Sequence, residues 1–382
     1  MNYRKFANLG WDVSALGFGC MRLPTTDGGM ISPNIDEPQA IAMIRHAIDL
    51  GVNYVDSAYS YHMGNSEKVL GKALEGGYRD KVKLVTKSPV FLLQGTSDFD
   101  RFLAEQLERL GVEHIDLYLL HALSASRWNK IEELGVLKSA EAAMRDGRIG
   151  RLGFSFHDDF DAFKRIVDAY DGWAACLIQH NYMDIENQAG TAGLEYAAAN
   201  GLPVAIMEPL LGGCLARPPA EVQKVFEDAA VQRTPAEWAL HWLWDQPQVS
   251  VVLSGMSTME QVDANLRAAG ESGVGSFSDD DRAVIERARE AFKGRLPIPC
   301  TRCGYCMPCP NGVDVPANLE LYNDSVMYGN SNGPRFRYGM WLTDGQTAAD
   351  CAACGECEEK CPQDIPISEW MPRIHEALGG NK

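Results

Sequence analysis

Apolar positions recur along this chain with two different periods. Short, nearly continuous apolar or β-branched runs occupy 14–21 (SALGFGCM), 52–57 (VNYVDS), 81–88 (KVKLVTKS), 115–122 (IDLYLLHA), 149–156 (IGRLGFSF), 175–182 (ACLIQHNY), 203–210 (PVAIMEPL) and 250–256 (SVVLSGM). Between them apolar residues return every three or four positions, as in EPQAIAMIRHAIDLG (37–51) and TSDFDRFLAEQLERLG (96–111), each ending on glycine. The first pattern predicts strands buried on both faces, and the second predicts amphipathic helices with a glycine stop. Eight strands, each followed by a helical stretch, predict an α/β fold, a (β/α)8 TIM barrel, in preference to an open sheet. WALHWLWD (238–245), with three tryptophans and a histidine at helical spacing, reads as a helix packed on that barrel.

Such a barrel builds its active site at the C-terminal ends of its strands. Asp56 closes the second run, Lys87 the third and His121 the fourth, and Tyr61 follows in the loop after Asp56. Singly, a strand-end aspartate is an ordinary helix cap and a strand-end lysine an ordinary solvated cation. Four proton-handling groups on one rim of neighbouring strands predict acid–base chemistry instead.

Composition narrows the partners. The 382 residues are 46% hydrophobic and 23% charged, as in a soluble globular protein. A formal net charge of −17, spread along the chain, argues against nucleic acid or an anionic membrane as partner. The first residues hold no signal-type apolar stretch, and no apolar run approaches the roughly 18 residues of a membrane span, so a cytoplasmic location is expected. Disulfides are rare there, so eleven cysteines point to metal.

YVDSAYSYHMGNSEKVLG (54–71), LVTKS (84–88), DLYLLH (116–121) and GRIGRLGFSFH (147–157) resemble, in order and separation, the motifs of the aldo/keto reductases. The resemblance covers about residues 3–293 and implies a carbonyl reductase, or an alcohol dehydrogenase in reverse, acting on a small substrate. It implies Tyr61 as general acid, with Asp56, Lys87 and His121 completing a tetrad. The chemistry suits those types. A phenol with a pKa near 10 is a reluctant donor, and a neighbouring ammonium is expected to lower it toward working pH. Asp56 would keep Lys87 charged, and His121 would orient the carbonyl or relay a proton.

The same resemblance implies a nicotinamide cofactor, with departures from the family pattern. Ser155 and Gln179 match residues that hold the carboxamide, but Phe156 replaces the usual asparagine, and Met207 stands where an aromatic ring is expected. At the adenosine end Ser254, Gly255, Met256 and Ser257 could offer backbone donors and a hydroxyl to a phosphate at a helix N-terminus. Gln261 and Asn265 match adenosine-contacting positions. Gly255 and Gln261 occupy places where NADP-selective members carry Lys and Arg, which favours NAD over NADP. A barrel phosphate site could also take a flavin phosphate.

Cysteines are concentrated at the C-terminal end. Cys300, Cys303, Cys306 and Cys309 are spaced C-x2-C-x2-C-x2-C-P, and Cys351, Cys354, Cys357 and Cys361 are spaced C-x2-C-x2-C-x3-C-P. Zinc needs neither the third close cysteine nor the proline. The second run is that of two-cluster ferredoxins, in which the fourth cysteine of each run ligates the other cluster. On that pattern Cys300, Cys303, Cys306 and Cys361 hold one 4Fe–4S cluster, and Cys351, Cys354, Cys357 and Cys309 hold a second. DVPANLELYNDSVMYG (314–329) between the runs reads as a helix, resembling the α-helical ferredoxin type. KGRLPIP (293–299) marks a boundary, giving a barrel over 1–293 and a small, mainly α-helical ferredoxin-like domain over 294–382. The whole chain resembles the iron–sulfur branch of the aldo/keto reductases.

Cys20, Cys176 and Cys214 are isolated and read as small hydrophobes. In LSASRWNK (123–130), Trp128 is a candidate wall of the substrate pocket. Three functions are consistent with two such halves: a reductase exchanging electrons with a ferredoxin-like carrier, a reductase whose clusters are structural staples, or an electron-relay or regulatory barrel subunit with little carbonyl chemistry.

Overall fold

Each of the eight apolar runs forms a strand, and together they close on themselves. The computed structural model describes residues 1–6, 9–29 and 31–380. Strands β1 (Tyr3–Phe6) and β2 (Trp11–Ser14) form an antiparallel pair. Then come β3 (Leu16–Gly19), β4 (Tyr54–Asp56), β5 (Lys83–Ser88), β6 (Ile115–Leu123), β7 (Ile149–Phe156), β8 (Cys176–Gln179), β9 (Val204–Met207) and β10 (Val249–Gly255). These eight run parallel in the closed order β10-β3-β4-β5-β6-β7-β8-β9, a (β/α)8 barrel. The two helices anticipated from periodicity form at Glu37–Asp49 and Asp98–Leu110. The first is capped by Asp36, whose side chain accepts from Gln39 N at 3.2 Å. The second stops at Gly111, whose φ of +64° is open to glycine at little cost.

The β1–β2 pair has no counterpart among the anticipated strands. Each of its strands has only four residues, too few for a periodic signal. Phe6 and Val13 join Tyr54, Val85, Leu117, Leu119, Leu177, Val251 and Leu253 in the cluster that fills the barrel. Because β2 leads directly into β3, this pair closes the N-terminal end, and Phe6 stacks on Trp11 with ring centroids 5.9 Å apart. The strand C-termini are left for chemistry. WALHWLWD forms the end of the helix Pro235–Trp244, where Trp238 and Trp244 are fully buried and Trp244 Nε1 donates to Ala15 O at 2.9 Å.

The chain divides into two compact units, one of residues 1–210 with 237–277 and the other of 211–236 with 278–382. In the second, the helices Val315–Met327, Asn332–Trp341 and Ile367–Leu378 pack around Val313, Leu319, Leu321, Tyr338, Ile365, Met371 and Ile374. Among the described residues after 293 there are no strands, in keeping with the helical type expected. Arg295 in the prolyl linker pairs with Glu221 at 2.8 Å and donates to the carbonyls of Val326 and Met327. No helix among the described residues is long and apolar enough to cross a membrane.

Candidate functional site

Neighbouring strands of a parallel barrel bring their ends together, and the register pairs Asp56 with Val85 and Lys87 with Leu119. Lys87 is 1% exposed, and its Nζ donates to Asp56 Oδ1 at 2.5 Å, to Ser57 O at 2.7 Å and to Tyr61 Oη at 3.2 Å. All three ammonium protons are therefore engaged. Tyr61 opens a short 3-10 segment, Tyr61–Gly64. Its ring lies 4.7 Å from Lys87 Nζ and edge-on to His121, with centroids 6.1 Å apart. The four residues anticipated at one rim are thus brought together.

Electrostatics corrects one expectation. Burial pushes the Tyr61 phenol above its ordinary value, and the opposing pull of Lys87 does not overcome it. Desolvation disfavours the phenolate more than one neighbouring cation favours it, and that cation is already shared with Asp56. Burial also works against the Lys87 ammonium, but Asp56 and Tyr61 outweigh it and hold its pKa above the ordinary lysine value. His121 is held well below the usual imidazole range by burial, then by the positive charge of Lys87. Among the described residues, Asp56 Oδ2 and His121 Nδ1 are buried without a protein partner.

A buried polar network stands behind Lys87. Glu67 is fully buried and accepts from Thr86 Oγ1 at 2.7 Å, Gln106 Nε2 at 2.5 Å and Arg109 at 3.3 Å. Gln106 Nε2 also reaches Lys87 O at 3.2 Å, and Arg109 donates to Tyr59 O at 3.2 Å. The network thereby ties the backbone of Lys87 to the segment that carries Tyr61. Sequence reasoning missed it, although the buried Glu67 lies inside the quoted 54–71 motif.

The expected nicotinamide contacts lie along the same rim. Ser155 is buried at the end of β7, where its Oγ accepts from Ala122 N at 2.7 Å. Gln179 closes β8 and donates to Asp184 Oδ2 at 2.7 Å. At the end of β10, Ser254 Oγ accepts from a buried Asn265 at 2.9 Å, and Met256 is buried. Gln261 Oε1 takes the backbone N–H of Ser257 at 2.8 Å, and Ser257 Oγ donates to Arg22 O at 2.7 Å. Gln261 and Asn265 are therefore engaged within the protein, a use that motif matching does not reveal. Gly255 faces Arg22: a Cβ there would stand 2.7 Å from Arg22 Cγ. The side chain absent at Gly255 is replaced in space by an arginine more than two hundred residues away in sequence. Such a cradle, a bare backbone at the start of the helix Met259–Gly270 with the stem of Arg22 packed against it, fits a dinucleotide phosphate. Met207 ends β9, as expected from sequence.

Trp128 is no pocket wall. It is 1% exposed beneath the helix Ala125–Glu133 and packs on Trp173, with centroids 5.9 Å apart. Cys20, just after β3, and Cys176, the first residue of β8, are buried, and burial pushes their thiols up. Cys214 is a part-buried loop residue.

In the second unit, the eight clustered cysteines form no disulfides and surround two hollows. One is lined by Cys300, Cys303, Cys306 and Cys361, with Leu319, Ile365 and Ile367. The other is lined by Cys309, Cys351, Cys354 and Cys357, with Val313 and Val315. The interleaved grouping is the one anticipated from spacing. The two loops share a backbone course, with positive φ at Arg302 and Gly304 in one and at Ala353 and Gly355 in the other. In each, the first sulfur accepts a backbone N–H, from Arg302 N at 3.5 Å and from Ala353 N at 3.4 Å. Among the described residues, no three such side chains converge on a single ion position. Thiols spaced around an apolar-backed hollow fit a polynuclear cluster.

Comparison with known proteins gives a consistent result. Residues 15–289 match the profile of the aldo/keto reductase family, and residues 299–365 match that of a 4Fe-4S dicluster domain. An uncharacterised oxidoreductase of Schizosaccharomyces pombe is 28% identical over 269 residues, spanning 68% of this chain and 82% of that protein. L-galactose dehydrogenase of Arabidopsis thaliana is 26% identical over 311 residues, spanning 76% and 95%. Among solved structures, the holo form of an aldo-keto reductase from Bacillus halodurans has a TM-score of 0.62 at 24% identity, covering 75% of this chain and 96% of that one. An aldo-keto reductase from Klebsiella pneumoniae in complex with NADPH has a TM-score of 0.59 at 24% identity, covering 75% and 95%.

Proposed function

The chain belongs to the aldo/keto reductase family, and from that premise we propose that it reduces a carbonyl compound, or oxidises the corresponding alcohol, at Tyr61, Asp56, Lys87 and His121. The observation that carries this reading is the fully buried Lys87, bonded to Asp56 on one side and to the Tyr61 hydroxyl on the other.

A bound nicotinamide would supply or accept the hydride at carbon. What remains for the protein is the proton at oxygen. Burial keeps Tyr61 protonated until a carbonyl oxygen arrives, and the phenol then donates as negative charge builds there. The ammonium of Lys87, 3.2 Å from Tyr61 Oη, stabilises the phenolate that remains. Asp56 and Ser57 O fix that ammonium in place. His121 stays neutral, and its imidazole can orient the carbonyl. The phenolate recovers its proton from solvent, and the product is the alcohol.

Ser155, Gln179 and the Ser254–Ser257 cradle are assigned to the cofactor, and Arg22 supplies the cation that Gly255 and Gln261 lack. The nicotinamide cofactor is then NAD(H) or NADP(H), without the preference for NAD. Residues 1–293 act as the reductase domain and 294–382 as a ferredoxin-type domain. In the latter, Cys300, Cys303, Cys306 and Cys361 hold one 4Fe–4S cluster and Cys309, Cys351, Cys354 and Cys357 a second. Such clusters exchange single electrons or brace the domain. The test is Tyr61→Phe: nucleotide binding should persist while carbonyl reduction falls by at least about a hundredfold, the low end for a positioned general acid. Unchanged turnover would remove Tyr61 from the mechanism.

A further inference from the structure

Arg127 lies beside the tetrad and has no part in the mechanism above. It occupies the first turn of the helix Ala125–Glu133, where Ser124 caps its backbone N–H at 3.2 Å. A cation in a first turn opposes the helix dipole, so the position is unfavourable for the helix itself. The side chain turns back to β6, and its NH1 donates at 2.5 Å to the carbonyl of Ala122, the residue after His121. Ala122 has a φ of +54°, a left-handed conformation uncommon for alanine, and its N–H is held by Ser155 Oγ at 2.7 Å. The strained strand end and the arginine thus hold each other in place next to a tetrad residue.

Among the described residues, Arg127 makes no other hydrogen bond and no ion pair, so the rest of its guanidinium fork is uncommitted. Asp158, a carboxylate of the neighbouring β7–helix loop, accepts from Ala125 N at 2.8 Å. His157 bonds through Nδ1 to Gln188 at 3.2 Å, leaving its other nitrogen without a protein partner. Both imidazoles are held below their ordinary range, by burial first, with the charge of Arg127 contributing to each. Phe91, 41% exposed, stands edge-on to His121 at 5.8 Å and gives the mouth an apolar side. Glu208 acts on Tyr61 from the β9 side.

We propose that Arg127 is a specificity-determining residue, its free fork receiving an oxyanion, carboxylate or phosphate, borne by the carbonyl substrate whose oxygen meets Tyr61. The substrate class is therefore an anionic aldehyde or ketone, or the matching hydroxy acid or phosphate ester. This rests on the carbonyl chemistry proposed above. A planar fork with four of its five N–H groups free suits a carboxylate or phosphate edge, and charge-assisted bonds of this kind discriminate strongly against neutral analogues.

The test compares 4-carboxybenzaldehyde with its neutral 4-carbamoyl analogue, and glyceraldehyde 3-phosphate with glyceraldehyde, on wild type, Arg127→Met and Arg127→Lys. In wild type, kcat/KM should favour at least one anionic member by about tenfold or more, as one charge-assisted pair would give, and the pair that shows it identifies carboxylate or phosphate. Arg127→Met should abolish that preference, chiefly through KM, with a smaller loss on the neutral substrates from the freed Ala122 carbonyl, and Arg127→Lys should restore part of it. No anionic preference in wild type, or an equal loss on both members of each pair in Arg127→Met, would overturn the assignment. Binding of benzoate and of inorganic phosphate by calorimetry decides the matter apart from turnover. Tighter binding of either anion by wild type than by Arg127→Met supports the proposal even if every carbonyl proves inert, whereas equal binding to both proteins rejects it.

Discussion

Removing one member of the Lys87–Asp56 pair should cost more stability than removing both. The pair is fully buried, with Nζ 2.5 Å from Oδ1, and Asp56 Oδ2 has no protein donor of its own. In Lys87→Met the carboxylate loses the cation it is paired with, and in Asp56→Asn the ammonium keeps, among the described residues, Ser57 O and Tyr61 as partners. Stranding one charge of a buried pair costs about 3–5 kcal/mol, whereas replacing both members is often close to neutral. Unfolding entropy is about 2.1 cal/mol/K per residue, so for a domain of about 290 residues this lowers the barrel's melting temperature by roughly 5–8 °C. The double variant should recover at least half of that loss. Scanning calorimetry of wild type, both single variants and the double variant at pH 7 measures all four corners of the cycle. Single variants within about 1 °C of wild type, or a double variant whose loss equals the sum of the two, would refute the idea that the pair exists to hold a buried ammonium.

Other outcomes follow from the same geometry. His121 has a folded pKa well below its unfolded value, so the unfolded state binds the extra proton. Its contribution to stability is complete above about pH 6.5 and is lost as pH falls through that value, by up to about 1.4 kcal/mol per pH unit. Urea titrations between pH 4 and 7 should show a shallower acid loss for His121→Gln than for wild type. Arg22→Ala should weaken NADPH binding by about tenfold while changing NADH binding little, as expected from loss of one charge-assisted phosphate contact; fluorescence titration reads both. Cys303→Ser and Cys354→Ser each remove a thiol from a different hollow. Anaerobically prepared protein should carry about eight iron atoms per chain and each variant about half as many, by colorimetric iron and sulfide analysis.

The barrel was legible because its signal is repeated: any one of the eight runs could be mistaken for a helix segment, but their count and spacing could not. The meeting of Asp56, Lys87 and His121 at one rim was legible for the same reason, since they close successive runs. What escaped depends on three-dimensional closeness or on burial. Arg22 meets Gly255 only when β3 and β10 close the barrel, so motif reading had no means of seeing an arginine stem beside that glycine. The direction of the Tyr61 shift was misjudged because a neighbouring lysine is visible in sequence and desolvation is not. Trp128 was misplaced because an aromatic residue next to a rim reads alike whether it points to the pocket or beneath its own helix. The eight cysteines gather around two hollows in the interleaved way their spacing suggested, because thiol spacing constrains the chain directly.

The account is tested most directly by isotope transfer. Anaerobically prepared protein is incubated with NADPH deuterated at the reactive carbon, and in parallel with equally labelled NADH, together with a panel of neutral and anionic aldehydes. The alcohols formed are then examined by mass spectrometry. Wild type should place deuterium on the carbinol carbon of at least one product, and Tyr61→Phe should reduce that yield by at least about a hundredfold. Label transfer at an undiminished rate in Tyr61→Phe, or no transfer to any member of the panel by a wild-type protein that binds the nucleotide, would contradict it.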